Sequence, residues 1–184
     1  MPGFNCVLQH VVFSALIVPI AANCQTVETV LYNFTGTNGD GVQPLGALVA
    51  QTSGSTGQVS ALYGVTSGGG IYTGVCALII GGCGTVYELS RPGPGQTAWT
   101  ETLLFADFLQ SNGAVPAGGL FLQQSSGSAG PTFFGTTLYG GNGTLTTTPN
   151  SGYGTVFSLV GSQLTTLWDF SAGRPEKPFR ASDR

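Results

Sequence analysis

The side chains most suggestive of chemistry in this sequence are two cysteines, Cys76 and Cys83, which bracket a glycine-containing loop at 77–82. Two thiols this close in sequence form a local disulfide in an oxidising compartment, and we predict that bond here. A zinc site would need a third and a fourth ligand, which the sequence does not place nearby. Two free buried thiols are the other alternative.

Acid–base chemistry has little support. The single histidine, His10, lies in an N-terminal segment that we expect to be removed, so no Ser-His-Asp triad or imidazole metal site is expected. Glu28 and Glu101 hold matched positions in two similar stretches, which favours a shared structural role over a pair of glycosidase carboxylates. The loop 37–41 holds one aspartate, too few for calcium. We predict no catalytic residue, no metal and no cofactor, and a protein that is not an enzyme.

These residues lie in two similar stretches, repeat one at 28–89 and repeat two at 101–159. Leu62-Tyr-Gly-Val-Thr66 matches Phe133-Phe-Gly-Thr-Thr137, and the stretch 84–89 matches 154–159. A partial third repeat begins at 163–170, where Leu167-Trp-Asp-Phe170 echoes Leu31-Tyr-Asn-Phe34. Repetition at this period is typical of architectures built from stacked units.

Each repeat contains short runs rich in Val, Leu, Tyr, Phe and Thr, separated by Gly, Asn, Ser or Pro, which indicates antiparallel strands. We predict an all-β fold of two four-stranded propeller-like blades plus the first strand of a third, with a β-sandwich as the alternative. The aromatic residues at the repeat landmarks are expected to pack between blades, whereas Trp99 lies outside them and is the candidate for an exposed aromatic. The predicted strands are 28–34, 45–51, 59–65, 84–89, 101–108, 119–124, 132–137, 154–159 and 163–170.

The motifs Leu62-Tyr-Gly-Val-Thr66, Gly84-Thr-Val-Tyr87, Phe134-Gly-Thr-Thr137 and Gly154-Thr-Val-Phe157 resemble those of the GloVer tandem-repeat family. The linker Leu31-Tyr-Asn-Phe-Thr-Gly36, followed by Asp40-Gly41, adds to the likeness, which covers 28–170. The resemblance implies an exported bacterial protein, often surface-anchored, with propeller-like repeats and no established biochemical activity.

Composition divides the chain into three parts. The segment 1–22 is apolar from Val11 to Ala22 and is predicted to be a signal peptide, although it has no Lys or Arg before that run; a buried first strand is the alternative. Residues 23–170 form the predicted β-repeat domain. The tail 171–184 holds four of the five cationic residues and is predicted to be disordered. With a net charge of −3 the chain is not expected to bind nucleic acid.

These features predict an exported, non-enzymatic repeat protein that serves as a cell-surface or extracellular interaction module, or a truncated fragment of a longer propeller. A secreted carbohydrate-binding or carbohydrate-active propeller is the alternative. The expected partners are other copies of the chain, surface glycans or surface proteins, and no membrane span is predicted in the mature chain. Two blades alone leave strand edges and a sheet face uncovered, so we also expect self-association.

Overall fold

Strands account for most of the chain that the structure describes. The computed structural model describes residues 28–37, 39–72, 76–77, 81–109, 111–124, 130–141 and 152–171. In these ranges the strands form two antiparallel sheets and there is no α-helix, which confirms the all-β prediction. The predicted signal peptide at 1–22 and the predicted tail after residue 171 lie outside the described residues.

Sheet one contains four strands in the order of the chain. The turn at 53–58 joins the first two, with the Gly57 amide donating to the Ser53 carbonyl at 2.8 Å. The first strand changes register between Leu45 and Val49, which bends it around the second strand. The strands are β1 (Gly41–Thr52), β2 (Val59–Gly69), β3 (Thr85–Ser90) and β4 (Thr100–Phe105).

Sheet two repeats this arrangement with one change. Its order is β5-β7-β8-β9, and β6 pairs with the far end of β7. The two short strands β5 and β6 together lie where β1 lies in sheet one, because Pro116 pairs with Thr137 just as Pro44 pairs with Thr66. The strands are β5 (Ala114–Pro116), β6 (Phe121–Gln123), β7 (Thr132–Tyr139), β8 (Thr155–Val160) and β9 (Gln163–Asp169).

Two strand predictions need correction. Residues 28–34 are irregular rather than a strand, because the matching stretch in β4 pairs with the sheet that precedes it, and no described strand lies beside 28–34 in that way. The predicted strand 163–170 does form, but it pairs with β8 and is the outer strand of sheet two, not the opening strand of a third unit. In both sheets the outer strand therefore comes from the stretch that begins the next sequence repeat.

Matched hydrogen bonds hold the two sheets in the same shape. The buried hydroxyl groups of Thr66 and Thr85 are 2.7 Å apart in sheet one, and those of Thr137 and Thr155 are 2.9 Å apart in sheet two. In each sheet the first threonine of the pair also donates to a carbonyl two residues further along. A buried hydroxyl needs such partners, since burial without them costs about 1–3 kcal/mol.

Each sheet has a front face and a back face, assigned from strand register because directly paired residues point to the same side. The front face of sheet one packs on the back face of sheet two, where the rings of Tyr63 and Phe133 have centroids 4.7 Å apart. The front faces are Tyr63, Val65, Val86 and Phe105 in sheet one, and Phe134, Thr136, Val156 and Trp168 in sheet two. The back faces are Leu48, Leu62, Tyr87 and Leu89 in sheet one, and Leu120, Phe133, Phe157 and Leu159 in sheet two.

Two kinds of glycine make this packing possible. On each back face an aromatic ring lies across a paired glycine, Tyr87 over Gly64 and Phe157 over Gly135, where any Cβ would meet the ring. Between the sheets, a Cβ on Gly46 would lie 2.7 Å from the backbone carbon of Gly118, so the two backbones touch. The core between the sheets closes because these positions have no side chain.

Candidate functional site

The front face of sheet two differs from the front face of sheet one in exposure, although the two hold matched positions. In sheet one, Val65 and Val86 are 1% and 0% exposed. In sheet two, the matching Thr136 is exposed and the matching Val156 is half-buried. Sheet two supplies the cover for sheet one, and among the described residues no third sheet does the same for sheet two.

Aromatic side chains concentrate on this uncovered face. Trp168 is 45% exposed, and its counterpart Phe105 packs edge-on against the buried ring of Phe108 at 4.9 Å. Phe121 pairs with Phe134 and is 66% exposed, with the two ring centroids 6.2 Å apart. Large apolar side chains gathered on one sheet face mark a surface that binds another apolar surface.

The front face of sheet two carries no charge at its matched positions. The residues facing solvent are aromatic, aliphatic, hydroxyl-bearing or, at Gln123 and Gln163, amide-bearing, and Ser158 stands where sheet one has Glu88. A partner covering this face therefore meets no unpaired carboxylate, whose burial would be costly. This face can therefore bind another surface through apolar contacts, with hydrogen bonds from its polar side chains.

A small cleft lies at the junction of the two sheets, between the front face of sheet one and the start of β7. It has a volume of about 170 Å³ and is bordered by Tyr63, Glu88 and Phe133. The Tyr63 hydroxyl donates to the Gln51 side-chain oxygen at 2.6 Å, and burial, with a further effect of the Glu88 carboxylate, raises the pKa of Tyr63. The phenol thus stays neutral and serves as a hydrogen-bond donor.

A second polar cluster lies at the edge of sheet one. Asp40 is 8% exposed and accepts hydrogen bonds from the Thr35 amide and hydroxyl at 2.6 and 2.7 Å. Burial, followed by the nearby Asp40 carboxylate, raises the pKa of Glu101. Burial together with both acids raises the pKa of Tyr32. The carboxylate that contributes to the raised pKa of Glu101 is therefore that of Asp40. It is not that of Glu28, the residue at the matched position of the sequence.

Cys76 and Cys83 form the predicted disulfide, with their Cα atoms 5.0 Å apart. Both residues are buried at the junction between the sheets. The Val115 amide donates to the Cys83 carbonyl at 2.9 Å, which ties the disulfide loop of sheet one to the first strand of sheet two. The bond thus closes a loop that supports the contact between the two sheets.

The more exposed of the two tryptophans is Trp168. Trp99, the predicted exposed aromatic, is half-buried, whereas Trp168, which the repeat pattern predicts between blades, is 45% exposed. The other landmark aromatics Tyr63, Tyr87 and Phe157 are buried as expected. No local signal separates Trp168 from these residues, because its exposure depends on whether another sheet lies against it.

Neither a metal site nor a membrane-spanning helix is found in the described ranges. There, no three His, Cys, Asp or Glu side chains lie together in a way that could hold a metal ion. No helix among those residues is both long and apolar enough to cross a membrane. Comparison with protein-family models, with curated proteins and with solved structures found no match to this chain.

Proposed function

We propose that this protein is an exported, non-enzymatic interaction module that binds its partner through the front face of sheet two. The observation that carries the proposal is the difference in burial at matched positions. Val86 is fully buried and its counterpart Val156 is half-buried, while Trp168, at the outer strand of sheet two, is exposed. The same kind of surface is covered in one sheet and uncovered in the other. A partner that covers it removes apolar area from water at about 25 cal/mol per Å².

Three observations support export. The Cys76–Cys83 disulfide is the kind of bond that persists in oxidising compartments. The apolar run from Val11 to Ala22 has the length of a signal peptide. The resemblance of the repeat motifs to the GloVer family adds a cell-surface or extracellular setting to the proposal.

The binding surface can be tested by hydroxyl-radical footprinting. Trp168 and Phe121 should be oxidised readily in the dilute purified protein and be protected in the same protein on or around the cells that produce it. Trp99, which comes just before β4 of sheet one and is not on the front face of sheet two, provides the reference for overall labelling. Equal oxidation of Trp168 in both settings would contradict the proposed surface.

Export and the lack of enzymatic activity are tested separately. N-terminal sequencing of the secreted protein should start after Ala22, and thiol labelling without reductant should leave Cys76 and Cys83 unmodified. An uncleaved chain inside the cell with both thiols free would contradict export. Hydrolysis of any member of a panel of glycan and ester substrates at an enzyme-like rate would contradict the non-enzymatic assignment.

A further inference from the structure

We infer that the partner of the front face of sheet two is a second copy of this chain, which presents the back face of its sheet one. This inference rests on the proposed function and identifies its partner. The contact between sheets one and two inside the molecule provides the pattern for the contact between copies. The front face of sheet two is built from the same strand positions as the front face of sheet one. The back face of sheet one is built from the same strand positions as the back face of sheet two.

The back face of sheet one is the second half of that contact, and it is uncovered on the side of β1, whereas Tyr87 and Leu89 further across the same face are 3% and 5% exposed. Leu48 is 50% exposed, whereas its counterpart Leu120 on the covered back face of sheet two is 7% exposed. Leu62 is half-buried, and its counterpart Phe133 is 2% exposed. The molecule thus carries two incompletely covered faces. A contact between two copies that repeats the internal one would join these two faces.

The internal contact predicts which side chains meet between copies. The rings of Tyr63 and Phe133 touch inside the molecule. The matched residues are Phe134 on the front face of sheet two and Leu62 on the back face of sheet one. Both are half-buried in the single chain, so an aromatic–aliphatic contact between two copies would complete their burial.

Backbone contact is possible in the same way. Gly46 touches Gly118 and Gly119 between the sheets, and the side of Gly118 that faces forward carries no Cβ. Gly46 of one copy is the counterpart of Gly118, and Ala47 stands where the internal contact has Gly119. Between copies the backbones can therefore approach closely at the two glycines, with the Ala47 methyl group beside them.

One position on the back face of sheet one is already filled. Three phenylalanines hold matched positions in the sequence, namely Phe34, Phe108 and Phe170. The ring centroids of Phe108 and Phe157 are 5.5 Å apart, and those of Phe34 and Tyr87 are 4.8 Å apart. Phe170 is 45% exposed. In the stack, Phe170 of one copy and Phe34 of the next compete for the ring of Tyr87, so the segment 31–37 limits association.

The contact joins two different faces, so it is head-to-tail and leaves one face of each type free at the ends of any assembly. Such a contact either closes into a ring or extends as a filament, depending on the rotation between copies. This sets it apart from a two-fold dimer, in which the front face of sheet two would meet itself. The difference can be tested with substitutions on one face at a time.

The experiment uses sedimentation velocity on the full chain and on three variants that each add one carboxylate. Trp168→Glu alters the front face of sheet two, Leu48→Glu alters the back face of sheet one, and Ala98→Glu, in the exposed loop before β4, is the control. The wild type and the control should associate as concentration rises. Each face variant alone should associate at least tenfold more weakly.

Mixing the two face variants gives the decisive result. Trp168→Glu keeps an intact sheet-one face and Leu48→Glu keeps an intact sheet-two face, so the mixture should form a one-to-one dimer and nothing larger. If either variant does not fold, as judged by circular dichroism, Phe121→Glu and Ala50→Glu replace them, because both residues are exposed on the same two faces. Phe34→Ala should shift association of the otherwise unchanged chain to lower concentration.

Two results would overturn the inference. Leu48→Glu that still dimerises alone would indicate a two-fold contact of the sheet-two face with itself. A wild-type chain that stays monomeric throughout the concentration range would remove the second copy as partner. Protection of Trp168 in the footprinting experiment would then still support the proposed function, whereas unprotected Trp168 would contradict that function itself.

Discussion

Sheet one and sheet two share a hydrogen-bonded framework and differ in what lies against their front faces. Both have the paired threonines, such as Thr66 with Thr85, and both lay an aromatic ring over a glycine. Yet Val86 is fully buried and its counterpart Val156 is not. Burial at these positions is therefore set by the neighbouring sheet and not by the sequence of the strand itself.

The largest expected effect on stability distinguishes two adjacent phenylalanines on opposite faces of β7. Phe133 is 2% exposed and packs on Tyr63, whereas Phe134 is half-buried on the uncovered face. Phe133→Ala should lower the free energy of unfolding by about 3–5 kcal/mol, because it removes a buried ring and leaves a cavity. Phe134→Ala should cost about 1 kcal/mol, since less area is lost from the core.

Urea denaturation followed by circular dichroism measures both changes, at protein concentrations low enough to keep the chain monomeric. The two variants remove the same atoms from the same strand, so each is the control for the other. Equal losses of stability would mean that the front face of sheet two is covered within the single chain.

The disulfide makes the second difference between the sheets, because repeat two has no cysteine. Reduction of Cys76–Cys83 should lower the free energy of unfolding by about 2 kcal/mol, through the greater freedom of the unfolded loop. It should also loosen the loop 71–84 without unfolding the strands. Urea denaturation with and without reductant measures the effect.

A Cys76→Ala, Cys83→Ala double variant is the control for that experiment. Its stability should match that of the reduced protein and should not respond to reductant. A response in the double variant would assign the effect to Cys6 or Cys24 instead.

The threonine pairs test whether the shared framework matters equally in both sheets. Thr66→Val keeps the side-chain volume but leaves the buried Thr85 hydroxyl without its threonine partner, at a cost of about 1–2 kcal/mol. Thr137→Val should cost more, because Thr137 also accepts a hydrogen bond from the Thr155 amide at 2.9 Å. Thermal and urea denaturation compare the two, and a smaller loss for Thr137→Val would contradict the assigned hydrogen bonds.

The smallest expected effect concerns a carboxyl group that sheet one has and sheet two lacks. Glu101 pairs with Leu89, while sheet two has Leu164 paired with Leu159. Burial and then Asp40 raise the pKa of Glu101 above its ordinary 4.5, so the folded chain binds this proton more tightly than the unfolded chain. The stability it contributes is therefore full below about pH 4.5 and is lost as pH rises through the folded-state pKa.

Glu101→Leu, which gives sheet one the residue of sheet two, should weaken this pH dependence and raise stability at neutral pH. Urea midpoints at a series of pH values measure it. Glu28→Gln, which removes one carboxylate at an exposed position, is the matched control for the loss of one charge. An unchanged pH profile in Glu101→Leu would show that the carboxyl is well solvated.

Much of this fold is predictable from local sequence. The strand and glycine pattern predicts an all-β chain, and the spacing of Cys76 and Cys83 predicts their disulfide. The irregular conformation of 28–34 is not predictable in this way, because Glu28-Thr-Val-Leu-Tyr32 has the same strand-forming character as β4. What differs is the availability of a neighbouring strand, which is a long-range property.

The candidate site is harder to predict for the same reason. Trp168 matches Phe105, and both are aromatic residues on the outer strand of a sheet. One packs on Phe108 and the other is exposed, although their neighbours in sequence are similar. Repetition in the sequence identifies which positions can bury a side chain, and only the arrangement of sheets determines which of them do.

The offset between sequence repeat and sheet has a consequence for how such a gene can change in length. The stretch that recurs in the sequence begins at 28 and 101, whereas the sheets run from Gly41 to Phe105 and from Ala114 to Asp169. Unequal recombination between matched codons of the two repeats would therefore insert or remove one whole repeat. That repeat contains the outer strand of one sheet, the linker after it and the inner strands of the next sheet. Every interior sheet of the product would keep all its strands, so arrays of different length could arise in single steps without a misfolded intermediate.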